Sequence, residues 1–165
     1  MPKRTKRNYR VMVWTTFLVV ALDQISKWWV TQRLQIYESF PVIEGVFDLV
    51  HIRNRGMAFG LLNGPHVDFR FWFLLLASLT AVAILLIWFF RLKTGDTWTT
   101  LAISLILGGA VGNLIDRIRY REVVDFLDFY FRSYHWPAFN VADAAITAGT
   151  CLLVITLVFR RPHGE

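Results

Sequence analysis

The most constraining feature of this chain is a stretch without charged side chains, Phe71 to Phe90, in which apolar and aromatic residues dominate. A helix needs about 20 consecutive, mostly apolar residues to cross the hydrocarbon core of a bilayer. The composition agrees, because 55% of the 165 residues are hydrophobic and 18% are charged, whereas soluble domains average about 45–50% and about 25%. The sequence therefore predicts an integral membrane protein, and its length predicts a single domain over residues 1–165.

Three other segments have the length and apolar character of a membrane span, namely Val11 to Val30, Thr97 to Ile115 and Ala138 to Phe159. The first is the weakest because it contains Asp23 and Lys27, whereas Asp143 alone interrupts the last. The basic N-terminus and the apolar stretch after it resemble a secretory signal peptide. No small-residue cleavage site follows Leu22, so we interpret this segment as a retained first span. Four spans place both termini on one side of the membrane.

The distribution of charge predicts which side that is. Segments 1–10, 91–96 and 160–165 would share one side, and they hold nine Lys and Arg residues against two acidic ones, a net charge of +7. The rest of the chain holds nine basic and ten acidic residues, a net charge of −1. Cytoplasmic loops collect Lys and Arg, so both termini are expected in the cytoplasm and segments 31–70 and 116–137 outside. Nucleic-acid binding is not indicated, since the basic residues flank apolar runs and form no continuous stripe.

The first outward segment, residues 37–60, differs from the spans because it is rich in β-branched and aromatic residues, above all between Phe40 and Asn54. Glu44 and Gly45 suit a turn between two short strands. The predicted fold is therefore an all-α integral membrane protein, with four transmembrane helices and a small antiparallel β-sheet on the outer, extracytoplasmic surface.

Several ionisable residues fall inside or next to these spans, where each costs about 2.5–3.5 kcal/mol at a helix centre and is expected to be paired or functional. Asp23 and Lys27 are four residues apart, so they can pair along one helix face and orient the first helix. We interpret Asp116 and Arg117 as an interfacial pair with a snorkelling arginine. Small residues also recur four apart and predict close helix packing: Gly108 with Gly112 in the third span, and Ala145 with Gly149 in the fourth.

Asp143 has no cation near it in the sequence, and Asp125 is an acid in an apolar stretch just after the third span. If the third and fourth helices are neighbours, these two acids can meet at the outer surface. Two close carboxyl groups share a proton because they cannot both ionise cheaply. One can then deprotonate a water while the other hydrogen-bonds the scissile carbonyl, as in an aspartic protease. Residue chemistry alone leaves Asp128 and Asp116 open as alternatives to Asp125.

Other kinds of site fit the sequence less well. Ser26 and Lys27 are adjacent, so on a helix they point about 100° apart and do not form a dyad with each other. Cys151 has no second cysteine to pair with. The histidines lack the two-His helical spacing of a metalloprotease, and they are His51, His66, His135 and His163. Two non-enzyme hypotheses remain, a small transporter or channel subunit with a proton relay and a membrane scaffold that binds a partner through its outward strands.

Five short motifs add a family resemblance that covers nearly the whole chain, in order and with similar spacing. They are Asp23 to Lys27, Asn54 to Phe59, Gly108 to Arg117, Val123 to Phe126 and Phe139 to Asp143. Together these segments closely resemble the lipoprotein signal peptidases, also called signal peptidase II.

The resemblance implies an aspartic endopeptidase of the bacterial plasma membrane. Such enzymes remove the signal peptide of prolipoproteins just before a cysteine that carries diacylglycerol. By motif, the catalytic pair would be Asp125 and Asp143. Residues that orient the substrate or support the pair would be Asn54, Gly108, Asn113, Arg117 and Asn140, and residues with a structural role would be Asp23, Lys27, Gly56 and Asp116.

The resemblance also implies the partners and the setting of this site. Prolipoproteins with a diacylglyceryl cysteine would be the substrates, membrane lipid would surround the chain, and globomycin-type cyclic peptides would inhibit it. No metal or cofactor is implied, and a monomer is expected. The active site would lie at the outer face of the membrane, where we expect the outward strands to bind extended peptide by backbone pairing.

Overall fold

A computed structural model describes residues 8–56, 67–92 and 96–159 of the chain. In these residues it has four helices, α1 (Tyr9–Arg33), α2 (Val67–Arg91), α3 (Thr97–Tyr120) and α4 (Val141–Val158). It also has four strands, β1 (Ser39–Ile43), β2 (Phe47–Asn54), β3 (Val123–Phe131) and β4 (Tyr134–His135). The predicted combination of long helices with a small antiparallel sheet is confirmed.

Three helices of the described part are long and apolar enough to cross a membrane, and they are Phe69–Arg91 within α2, α3 and α4. The helix α1 has 25 residues, as α2 has, but it carries buried Asp23 and Lys27 on one side. Its apolar side chains face outward at the same time, with Trp14, Phe17 and Ile25 more than half exposed. The structure is thus that of a multi-pass membrane protein, while the count of four spans stays a prediction.

The helix α3 is the centre of the bundle, since it packs against α1, α2 and α4. The helix α2 packs mainly on α3 and contacts α1 through Tyr9, whose ring centroid lies 5.5 Å from that of Phe89. Leu85 and Phe89 of α2 form a buried core with Ile103 and Leu107 of α3. This core lies near the end of α2 and the start of α3, so it fixes the two helices at that end of the bundle.

Glycines bring the helices together as the spacing predicted, and both members of the pair Gly108 and Gly112 face α1. A Cβ on Gly108 would lie 2.7 Å from Cβ of Val19 in α1, so this glycine serves the α1–α3 contact. The α3–α4 contact instead uses Gly109, where a Cβ would collide with the carbonyl oxygen of Ala142, and Gly149. Spacing identified close packing correctly, but which neighbour each glycine faces depends on the rotation of α3.

Several helix ends differ from the predicted span limits, and two of them lie next to the sheet. The helix α3 continues to Tyr120, five residues beyond Ile115, and Arg121 ends it in the left-handed region at φ +60°. The fourth span was predicted from Ala138, but α4 begins at Val141 because the extended Asn140 caps it. The backbone N–H and C=O of Phe139 both form hydrogen bonds with the backbone of Leu127 in β3. The sheet therefore takes the residues before Asn140 out of the helix.

The sheet is antiparallel with the strand order β1-β2-β3-β4. Strands β1 and β2 fall in the segment 37–60 that was predicted to be extended, of which residues 57–60 lie outside the described ranges. Strands β3 and β4 come from the connection between α3 and α4 and were not predicted. Their signal was the run of β-branched and aromatic residues in Val123–Phe131, which Asp125 and Asp128 interrupt.

Candidate active site

Asp125 lies in the interior strand β3, and only 2% of the residue is exposed. The register of β2 and β3 places it opposite Ile52, two residues before Asn54. Asn54 Nδ2 donates to Asp125 Oδ2 over 2.8 Å, and Asn140 Nδ2 donates to Asp125 Oδ1 over 2.8 Å. Both carboxylate oxygens of Asp125 therefore accept an amide hydrogen.

Asp143 lies in the first turn of α4 and forms a capping box with Asn140. Asn140 Oδ1 accepts the backbone N–H of Asp143 over 2.9 Å, and Asp143 Oδ2 accepts the backbone N–H of Asn140 over 3.3 Å. The other oxygen, Oδ1, accepts a hydrogen bond from Asn113 Nδ2 over 2.8 Å. The helix start itself thus orients this carboxylate, which stays half-buried.

The buried side-chain amides of Asn140 and Asn113 connect Asp125 to Asp143 through hydrogen bonds. Asn140 caps the helix that carries Asp143 and donates to Asp125, and its Nδ2 also lies 3.2 Å from Asn113 Oδ1. Asn113, which is 5% exposed, donates in turn to Asp143. The structure therefore brings together four of the residues predicted from the sequence, Asp125, Asp143, Asn113 and Asn140.

The surroundings of Asp125 favour its protonated form. The pKa of Asp125 is raised from 3.8 to about 6; burial away from water is the largest cause, and the negative charge of Asp143 acts in the same direction. Hydrogen bonds from Asn54 and Asn140 and the charge of Lys27 act in the opposite sense. A carboxyl group with such a pKa can carry a proton at near-neutral pH while its neighbour is ionised, and this is the state that acid–base chemistry on a carbonyl requires.

A buried charge cluster lies beside the acids; it extends one interpretation of the sequence and corrects another. Lys27 Nζ is 2.8 Å from Asp23 Oδ2, 2.9 Å from Asp116 Oδ2 and 3.0 Å from Asn113 Oδ1. Asp23 and Lys27 do pair, but Asp116 is a third member. Asp116 is 1% exposed and is therefore not half of an interfacial pair with Arg117, because the rotation of α3 turns it towards α1.

The two aspartates of this cluster accept hydrogen bonds from the backbone N–H groups that directly precede Asp143 and Asp125. Asp23 Oδ1 accepts the N–H of Ala142 over 2.9 Å, and Ala142 directly precedes Asp143. Asp116 Oδ2 accepts the N–H of Val124 over 3.1 Å, and Val124 directly precedes Asp125. Gln24, to which sequence reasoning gave no role, donates to Asp116 Oδ1 over 3.0 Å. Its place beside Asp23 in the first motif was the available signal.

Three further predicted residues have distinct positions. Gly56 adopts φ +87°, and its N–H donates to Asn54 Oδ1 over 2.8 Å, which orients the amide that binds Asp125. Arg117 is half-buried, and its charge interacts with Asp143, Asp116 and Asp125. Gly108 faces α1 rather than the acids, as described for the bundle.

The alternative acids and bases make other contacts. Asp128 Oδ2 bonds to Nδ1 of the exposed His135 over 2.8 Å, and Asp116 is engaged by Lys27. Ser26 Oγ donates to the carbonyl of Asp23 over 2.9 Å. His66 and His163 lie outside the described residues, and within those residues no group of three His, Cys, Asp or Glu side chains is placed to hold a metal ion.

Comparisons with known proteins show the family of this chain. A family model described as Signal peptidase (SPase) II matches residues 15–159. A lipoprotein signal peptidase of Nitratidesulfovibrio vulgaris (strain DP4) is 48% identical over 159 residues, which cover 96% of this chain and 94% of the relative. One of Syntrophus aciditrophicus (strain SB) is 44% identical over 144 residues, covering 87% and 89%.

The fold has relatives of known structure as well. A solved structure described as a bacterial membrane enzyme superimposes with a TM-score of 0.84 at 30% sequence identity, and the match covers 98% of both chains. A second, also described as a bacterial membrane enzyme, gives 0.84 at 31% identity and covers 96% of this chain. The family resemblance seen in the five motifs is confirmed: this chain belongs to the signal peptidase II family and is, by that membership, a membrane peptidase.

Proposed function

We propose that this chain is an aspartic endopeptidase that removes the signal peptide of bacterial prolipoproteins, cleaving just before a diacylglyceryl cysteine. The observation that carries the proposal is the pairing of Asp125 and Asp143 through the same two buried amides, Asn113 and Asn140. The relatives named lipoprotein signal peptidase supply the substrate class. A transporter or scaffold would not need a pair of acids held in this way.

The pair works by sharing one proton. The protonated acid donates a hydrogen bond to the scissile carbonyl oxygen, and the ionised acid takes a proton from a water whose oxygen attacks the carbonyl carbon. The carbonyl oxygen takes up the donated proton as the tetrahedral intermediate forms. The acid that took the proton from water then gives it to the amide nitrogen as the C–N bond breaks. The other acid takes back a proton from a hydroxyl of the intermediate as the new carbonyl forms, so both acids return to their first state. Because the groups are coupled, the titration belongs to the pair.

The location of the site suits a membrane substrate. Asp125 and Asp143 lie at the end of the bundle where α1 and α3 end and α2 and α4 begin, next to the sheet. We place this end at the outer face, with four spans and both termini in the bacterial cytoplasm, because the opposite loops carry the excess of basic residues. A lipidated signal peptide would then reach the acids sideways from the bilayer.

Conservative substitutions of the two acids test the proposal. We expect Asp125→Asn and Asp143→Asn each to lower the rate of cleavage of a diacylglyceryl prolipoprotein peptide by at least about 10³-fold, since each removes a group that moves a proton. Asp128→Asn is the matched control, because the same change is made in the same strand, and it is expected to cleave normally. Cleavage at the wild-type rate by both variants of the pair would refute the mechanism.

The lipid requirement needs its own measurement. A peptide with alanine in place of the lipidated cysteine is expected to be cleaved far more slowly than the diacylglyceryl peptide at equal concentration. Equal rates for the two peptides would leave the aspartic mechanism standing but would contradict the proposed substrate class.

A further inference from the structure

A cavity of about 250 Å³ opens beside Asn54, between the start of α2 and the end of α3. A water molecule occupies about 30 Å³ in the liquid, so the space holds a group several times larger. Its lining is cationic on one side and apolar on the other, and the residues that matter are Arg55, Arg70, Arg117, Arg121, Phe71 and Leu74.

The arginines of this cavity differ in what already neutralises them. Arg55 Nε is 2.5 Å from Glu122 Oε1, so it has a carboxylate partner. Arg117 interacts with the charges of Asp143, Asp116 and Asp125. The guanidinium of Arg121 lies 5.0 Å from the ring centroid of Phe71. None of these three needs a further anion to explain its position.

Arg70 is different. It is 9% exposed, and its Nε is fully covered without meeting a hydrogen-bond acceptor in the parts of the chain that the structure describes. A buried charged donor without an acceptor is costly, and an arginine is the residue whose planar fork best matches a carboxylate or phosphate. Arg70 lines the cavity, so an anion there would be attracted by its guanidinium and by the neighbouring arginines.

The surroundings indicate that this anion comes from a lipid. Arg70 precedes the uncharged run of α2 by one residue, which is the level of the lipid headgroups for a helix that enters the bilayer there. Phe69 and Trp72 are more than half exposed beside it, as is typical of the aromatic belt at a membrane interface. The helix α2 packs mainly on α3 and contacts α1 only near Phe89, at its far end, among the described residues, so its outward faces beside Arg70 are open to lipid.

We propose that this cavity binds an anionic phospholipid, with the phosphodiester against Arg70 and an acyl chain descending past Phe71 and Leu74. The juxtaposition of a buried guanidinium, whose Nε meets no acceptor in the described residues, with apolar side chains at headgroup level carries the inference. It does not depend on the proposed peptidase activity, because lipid binding can be measured without any peptide substrate. Fixed between α2 and α3, the lipid would stabilise the same end of the bundle that holds Asn54.

The test uses the purified full-length protein in a neutral detergent and measures the binding of dihexanoyl phosphatidylglycerol through the rise in melting temperature. Wild type is expected to be stabilised in a saturable way. Arg70→Gln is expected to weaken binding at least about tenfold, since a charged hydrogen-bond donor is lost. Arg91→Gln, the same change at the other, exposed end of α2, is the matched control and should bind as wild type does.

Further variants and ligands keep the test decisive. Arg70→Lys retains the charge but not the fork and is expected to bind with intermediate affinity, and Arg121→Gln is a second cavity variant should Arg70→Gln not fold. Equal lipid affinity in wild type and these cavity variants would overturn the proposal. Equal stabilisation by inorganic phosphate at the same ionic strength would assign the cavity to a free anion. Equal stabilisation by dihexanoyl phosphatidylcholine would contradict the requirement for a net negative lipid.

Discussion

At the scale of single residues, Asn140 connects the start of a helix to the candidate site. Its Oδ1 accepts the N–H of Asp143, so its Nδ2 is left to face Asp125 and Asn113. The same amide therefore stabilises α4 and orients the second acid. A side chain that only caps the helix would perform the first of these roles and not the second.

Two substitutions of Asn140 separate those roles. Asn140→Asp keeps a good N-cap, but it replaces the amide donor at Asp125 with a carboxylate. We expect cleavage to fall by at least about tenfold, because the hydrogen bond to Asp125 is lost. Stability should fall as well, because the buried carboxylate would face Asp125 and other acceptors although the N-cap is kept. Asn140→Ala should lose cleavage and also about 0.5–2 kcal/mol of stability. Normal cleavage by Asn140→Asp would show that the amide matters only as a cap.

The pKa of Asp125 leads to a prediction about pH. The folded pKa of about 6 lies above the ordinary aspartate value of 3.8, so between these two pH values the folded protein holds a proton that the unfolded chain has released. Stability should therefore decline as pH rises from about 4 to about 6. The pair loses its shared proton as pH rises through about 6. The mechanism needs that proton, so kcat/KM should fall above this pH with an apparent pKa near 6.

A variant tests the cause of this titration. Asn54 donates to Asp125 and lowers its pKa, so Asn54→Ala should move the alkaline limb of kcat/KM to higher pH. Asp128→Asn should leave the limb where it is. A limb that stays in place in Asn54→Ala would mean that Asp125 is not the group that titrates.

At the scale of elements, the site depends on how closely α3 and α4 approach each other. A Cβ on Gly109 would collide with the carbonyl oxygen of Ala142 and lie 2.7 Å from Ile146 Cγ1. Gly109 lies one helical turn before Asn113, and Ala142 directly precedes Asp143. The bond between Asn113 and Asp143 therefore requires a backbone approach that only glycine permits at position 109.

A substitution at Gly109 should separate the two helices. We expect Gly109→Val to lower stability by about 1–3 kcal/mol, the usual cost of overfilling a packed interface, and to reduce cleavage because Asn113 is moved from Asp143. Ala148→Val adds bulk on an exposed face of α4 and is the control. Melting temperatures in detergent and cleavage rates measure both effects, and a Gly109→Val protein equal to the control would contradict the packing argument.

At the scale of the whole molecule, the Lys27 cluster joins three helices and the sheet. Lys27 and Asp23 come from α1 and Asp116 from α3, and the two acids bind backbone N–H groups of α4 and β3. Because these bonds lie next to Asp125 and Asp143, the cluster fixes the relative position of the strand and the helix that carry the candidate pair.

Removing the cation of this cluster should destabilise the fold. We expect Lys27→Met to cost about 3–5 kcal/mol, since it leaves two buried carboxylates without a partner. The triple variant Lys27→Met, Asp23→Asn, Asp116→Asn removes all three charges and should recover much of that loss. Protease resistance and melting temperature in detergent report on both. If Lys27→Met were as stable as wild type, the charge of Lys27 would not contribute to the stability of the fold.

The sequence by itself determined the class of protein and the candidate residues. The uncharged run after Arg70 allows little else than a span, since a bilayer core leaves no water to bond to the backbone. Five motifs in register predicted the family, which is confirmed. They also named Asp125, Asp143, Asn113 and Asn140, which the structure brings together.

Only the tertiary structure decided how these residues are oriented. Spacing along a helix shows which residues share a face but not which neighbour that face meets, so Asp116 was assigned to Arg117 although it contacts Lys27. In the same way, β3 was not predicted as a strand. Its backbone hydrogen bonds are made with β2, which is distant in the sequence, and with Phe139. Contacts between distant segments fix the rotation of each helix and the register of each strand. These contacts cannot be predicted from the residues of one segment alone.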